Sequence, residues 1–144
     1  MSDQTLKLII TGALALHGFG HGGAVGALAW IAARPGTDTG AWRAAQSWLL
    51  PGLSAETATA VASAFWIASL VGFVAAALGF SGILVPADAW RPLAVVAAFV
   101  SMVGIVLFIG TWPAFNTVAA LAMNVAVLVA LLAMRWPPET MFGR

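Results

Sequence analysis

The stretch Pro92–Met134, PLAVVAAFVSMVGIVLFIGTWPAFNTVAALAMNVAVLVALLAM, contains no charged residue. A bilayer-spanning helix needs about 20 apolar residues, so this run is too long for one crossing and suits two. Pro113 divides it into halves of suitable length. Proline is tolerated in the first turn of a helix, but inside one it removes a backbone donor and clashes with the preceding turn. Gly110-Thr111-Trp112-Pro113 is therefore expected to be a tight hairpin between two spans, 92–112 and 113–134.

Two further charge-free runs lie upstream, Leu8–Ala33 and Thr57–Ala87. The first gives one span over about 8–33, long enough to tilt or to project beyond the bilayer. Lys7 before an apolar run resembles the start of a signal peptide, but the run is long for such a segment and is expected to stay as a span. The second gives a span over about 57–80, ending in the Gly79–Gly82 region. Ser54 is its expected N-cap, and Glu56 is favourable in its first turn. The expected fold is an all-α integral membrane protein, a four-transmembrane-helix bundle forming a single membrane domain over 1–144. Between the first two helices, Trp42, Ala45, Trp48 and Leu49 fall on one helical face of Gly40–Leu50. Arg43, Gln46 and Ser47 lie mostly elsewhere, so this segment is expected to be a short interfacial helix.

Composition agrees with that reading. Of 144 residues, 62% are hydrophobic and 8% charged, against about a quarter charged in a soluble domain. The net charge of +1 gives no basic footprint for nucleic acid, and none is expected as a partner. The absence of cysteine excludes disulfides, zinc–thiolate sites, thiol catalysis and cysteine-bound iron–sulfur clusters. The expected partners are the lipid bilayer and other helices, in a homo-oligomer or as a subunit of a membrane complex. Trp30, Trp90, Trp112 and Trp136 fall at expected helix ends, where an aromatic belt would lie; Trp66 falls inside helix two. Lys7, Arg91, Arg135 and Arg144 lie on one side, and Arg34 and Arg43 on the other. The positive-inside rule then puts both termini in the cytoplasm, with the bacterial inner membrane as the expected location.

Chemistry is concentrated in Ala13–Gly26, ALALHGFGHGGAVG, which carries the only two histidines, His17 and His21. Residues four apart share a helix face, which here continues through Ile10, Leu14, Ala24 and Leu28. Polar groups inside an apolar helix point to a functional site, so the pair is read as an intramembrane His-x3-His ligand site. Two imidazoles at this spacing can share a metal, and Met102 and Met123 could add thioethers, a set that suits copper better than zinc. Haem is the other candidate cofactor, with one histidine as axial ligand and the small residues Ala13, Gly18, Gly20 and Gly22 making room for the macrocycle. Gly18, Gly22 and Gly26 equally form a small-residue stripe for helix packing, as do Ala64, Ala68, Gly72 and Ala76. No span carries a carboxylate, which excludes a carboxylate-bridged di-iron site.

On helix four, Asn116 and Asn124 lie close to one face, and Asn124 is the deeper. It is expected to meet the histidines, which should face the bundle interior because an unpaired polar group in hydrocarbon costs several kcal/mol. His17, His21 and Asn124 are also the candidate acid–base groups if the protein is a membrane enzyme acting on a lipid or isoprenoid. The further alternative is an accessory or scaffolding subunit with no chemistry of its own. A transporter would usually show intramembrane carboxylates or broken helices, and the sequence shows neither.

Overall fold

The computed structural model describes residues 2–138. Its helices are α1 (Asp3–Ala32), α2 (Ala55–Ser81), α3 (Trp90–Leu107) and α4 (Ala114–Leu128), the last continuing into a π-helical turn, Val129–Ala133. All four are long and apolar enough to cross a membrane when the π turn is counted with α4. The protein is thus a small multi-pass membrane protein built as a four-helix bundle. At about 1.5 Å per residue, α1 with its 30 residues exceeds a bilayer core of about 30 Å and must tilt or project.

The helix ends follow local chemistry. Ser54 caps α2 by accepting from Thr57 N at 3.1 Å, and Ser2 caps α1 in the same way through Thr5 N. Helix α2 stops at Gly82, whose φ of 72° is the left-handed cap that glycine adopts without strain. The second hairpin begins earlier than the residue pattern suggests. Helix α3 ends at Leu107 rather than Trp112, Gly110 turns the chain at φ 90°, and Pro113 is the N-cap of α4. The pyrrolidine ring presets the entry into α4 and needs no donor there.

The expected interfacial helix does not form. Residues 40–50 have no helical turn, and Ala45 and Ser47 are buried while Gln46 and Trp48 are exposed. That alternation belongs to an extended chain. Two bonds to the second hairpin compete with the helix: Arg43 N donates to Thr111 O at 3.0 Å, and the Trp48 indole donates to Val106 O at 2.7 Å. The tryptophans divide. Trp30 and Trp136 are well exposed, as a belt requires, but Trp90 and Trp112 turn inward. Trp90 meets Phe80 edge-on with centroids 4.8 Å apart, and Trp112 packs on Trp66 at 5.1 Å.

Helix α1 packs on α2, α2 on α3 and α3 on α4. The α2–α3 crossing is close because Gly72 faces Ala97 and Gly104 faces Phe65; a Cβ at either would lie under 3 Å from its neighbour. Two apolar clusters fill the interior. One gathers around Phe73, Phe80 and Trp90 toward the chain-terminal end, the other around Trp66, Phe108 and Trp112 toward the hairpin end. The polar residues described next lie between them.

Candidate functional site

His17 and His21 sit near the middle of α1, and both rings turn into the bundle. His21 is 1% exposed and His17 half-buried. Their centroids are 5.0 Å apart with the planes at 73°, and Phe73 of α2 lies edge-on to His17 at 4.5 Å. Gly18 accommodates this rotation of α1. A Cβ there would meet Leu70 O, Phe73 and Val74 at 3.1–3.2 Å, so the bare backbone seats the helix against α2.

Four side chains from three helices form one hydrogen-bonded chain. His17 Nε2 lies 2.7 Å from Asn124 Oδ1, Asn124 Nδ2 donates to Ser101 Oγ at 2.7 Å, and Ser101 Oγ lies 3.0 Å from His21 Nε2. Donor counting gives the direction of its His17 end for neutral rings. The amide oxygen only accepts, so His17 carries its proton on Nε2. The hydroxyl accepts a hydrogen bond from the amide, and with one proton and two lone pairs it can meet His21 Nε2 as donor or as acceptor. The His17 tautomer is assigned from the bonding pattern. Asn124 and Ser101 are 0% exposed, so the chain crosses the dry interior.

The chain leaves two ring nitrogens over. His21 Nδ1 is buried without a partner, and the same holds for Trp66 Nε1, Trp112 Nε1 and Thr111 Oγ1. These groups belong together. Trp112 lies 5.4 Å from His21 and 5.1 Å from Trp66, centroid to centroid, and Thr111 is its chain neighbour. Each buried polar group left unpaired costs about 1–3 kcal/mol. His17 Nδ1 makes no bond to any described residue, and His17 lines a cavity of about 200 Å³ between α1 and α4. Gly20, His21, Trp42, Trp112, Phe115 and Asn116 share its wall. The cavity runs from the histidines toward the hairpin end, where the loop residue Trp42 lines it.

The structure brings His17, His21 and Asn124 together as the residue pattern suggests and adds Ser101 as the link. It separates the other candidates. Gly18 and Gly22 pack on α2, with Leu70 3.3 Å from where a Gly22 Cβ would be, so they leave no room beside the histidines; the glycine lining the cavity is Gly20. Gly26 faces open space. Met123 lines a different cavity, which neither histidine reaches, and Met102 lines neither. Among the described residues no group of three or more His, Cys, Asp or Glu side chains is placed to hold a metal ion. Ser101 is one of the polar residues that the sequence places inside the spans, where a serine is expected to bond between helices, and it lies about as far before the Gly110–Pro113 hairpin as Asn124 lies after it. No family model, curated protein or solved structure matches this chain, so its chemistry is argued from its own geometry.

Proposed function

We propose that this protein carries an intramembrane ligand site at His17 and His21, and that the ligand is a hydrophobic molecule with one hydrogen-bonding head. The observation that carries the reading is the half-buried His17 on a cavity wall, its Nε2 held by Asn124 and its Nδ1 without a partner among the described residues. A ring fixed at one nitrogen by a buried amide is pre-oriented to receive a ligand at the other. A transition metal is the weaker candidate, since both Nε2 atoms are engaged and no third strong ligand joins them. Haem is weaker for the same reason, and because Gly18 and Gly22 are filled by α2. The same residues could do acid–base work on a bound lipid or isoprenoid, with Asn124 positioning His17.

The test is purification of the full chain in mild detergent, followed by an absorption spectrum, elemental analysis and mass spectrometry of a solvent extract. An organic molecule retained by the wild type and lost from His17→Phe is the expected result. A Soret band or a stoichiometric metal that vanishes in the variant would reassign the site to haem or metal. A wild type that retains none of these, and behaves like a well-assembled His17→Phe/His21→Phe variant, would leave the pair a packing role. A second reading, assembly with other membrane helices as a homo-oligomer or accessory subunit, is favoured by the open space beside Gly12, Gly20, Gly23 and Gly26 on α1. In either reading the Lys/Arg asymmetry supports cytoplasmic termini in a bacterial inner membrane.

A further inference from the structure

A second groove between α1 and α4, at the chain-terminal end, forms a cavity of about 280 Å³ whose walls include Ile10, Leu14, Met123 and Val127 together with Trp90 and Pro137. The whole lining is apolar, and its outer wall includes Ile9, 53% exposed, so the cavity is open to the bilayer. We infer that this groove holds one hydrocarbon chain of an anionic glycerophospholipid, whose phosphate sits on the cations at the groove's mouth.

The mouth carries the charge. Arg91 is tied to two residues of the cavity wall: Nη2 donates to Pro137 O at 2.7 Å, and the guanidinium lies 5.3 Å from the Trp90 ring. A guanidinium has five N–H donors in a fixed fork, so the bond to Pro137 leaves others for a phosphate. Arg135 adjoins the wall residue Trp136. It occupies the left-handed cap position after the π turn, at φ 50°, with Trp136 N bonded back to Ala130 O at 2.8 Å. That bond folds Trp136 onto the groove and leaves the Arg135 side chain exposed beside it. Lys7 follows Leu6, another wall residue. Asp3 and Asp88 are the acids at this end among the described residues, so the cations prevail by one charge.

Selectivity has to come from the head. Bilayer tails are as apolar as the groove wall, so a chain gains little hydrophobic free energy by entering it. Each Lys or Arg near an anionic headgroup favours binding by about fivefold. A lipid with a zwitterionic head and the same chains should be held much less well.

The experiment is native mass spectrometry of the full chain in detergent, with palmitoyl-oleoyl phosphatidylglycerol and palmitoyl-oleoyl phosphatidylcholine supplied in equal amounts. Preferential retention of phosphatidylglycerol is expected, lost by roughly twentyfivefold or to parity in Arg91→Gln/Arg135→Gln. Ala130→Phe, which fills the groove, should lower phosphatidylglycerol retention while both arginines remain. Equal retention of the two lipids by the wild type, or an unchanged preference in the arginine variant, would overturn the assignment. So would unchanged retention in a folded Ala130→Phe protein, since the lipid would then lie elsewhere on the surface. Arg135 is exposed, so Arg135→Gln alone, with an expected loss of preference of about fivefold, keeps the test decisive if either other variant fails to assemble.

Discussion

Replacing Asn124 by leucine keeps the side chain's approximate size and removes both of its hydrogen bonds, each 2.7 Å long. Interhelical bonds of this kind average about 0.6 kcal/mol in membranes and reach about 1.7. Losing two should therefore destabilise the bundle by about 1–3 kcal/mol. The loss is softened because Ser101 keeps its bond to His21, and because His17 is only half-buried. Unfolding in mixed micelles titrated with a denaturing detergent measures the change. A double-mutant cycle with His17→Phe isolates the bond itself, with an expected coupling of about 0.6–1.7 kcal/mol. A weaker coupling to His21→Phe should pass through Ser101. Thr117 bonds carbonyls of its own chain segment, Trp112 O and Pro113 O, so Thr117→Val should not couple to His17→Phe. Additive losses in the His17–Asn124 cycle, with coupling under about 0.3 kcal/mol, would mean that the two side chains do not meet, and the donor count built on them would fail.

Gly104→Ala places a Cβ 2.7 Å from Phe65 Cβ, so it should cost about 1–3 kcal/mol by forcing α2 and α3 apart. Gly20→Ala meets nothing within 4 Å and should change stability by under about 0.5 kcal/mol; the same detergent titration compares the two, and equal effects would refute this packing. Ser54→Ala removes the cap of α2 and should cost about 1 kcal/mol by the same assay, while Ser54→Asp should retain most of the stability. A C-terminal reporter that works only in the cytoplasm should be active, whereas activity confined to a reporter that needs export would reverse the orientation argued from Lys7, Arg91 and Arg135.

The positions of the four spans were legible because hydrocarbon imposes a rule with few exceptions. Charges are excluded over a fixed length, so Lys7, Arg34, Glu56, Asp88, Arg91 and Arg135 bracket the crossings, and Pro113 splits the longest run. What lay outside that rule was harder to read. At Gly40–Leu50 the spacing of Trp42, Ala45, Trp48 and Leu49 fits a helical face, but the second hairpin offers the carbonyls of Val106 and Thr111, and the segment spends its donors there instead. Trp112 satisfies two rules equally well from sequence, since an aromatic ring at a helix end can face the interface or fill a core; only the gap between Trp66 and His21 decides it. The glycines of α1 illustrate the same limit at finer scale. Gly18, Gly20 and Gly22 differ by about 100° of rotation per residue, and which of them seats α2 and which opens onto the cavity depends on how α1 is turned. The histidines supply that missing angle. Once His17 must reach Asn124 and His21 must reach Ser101, the rotation of α1 is fixed, Gly18 meets Leu70 and Phe73, and Gly20 is left on the cavity wall. The polar chain therefore orients the apolar packing here, and the specific pairing of Ser101 with His21 and Asn124, rather than any further hydropathy signal, is what the residue pattern left open.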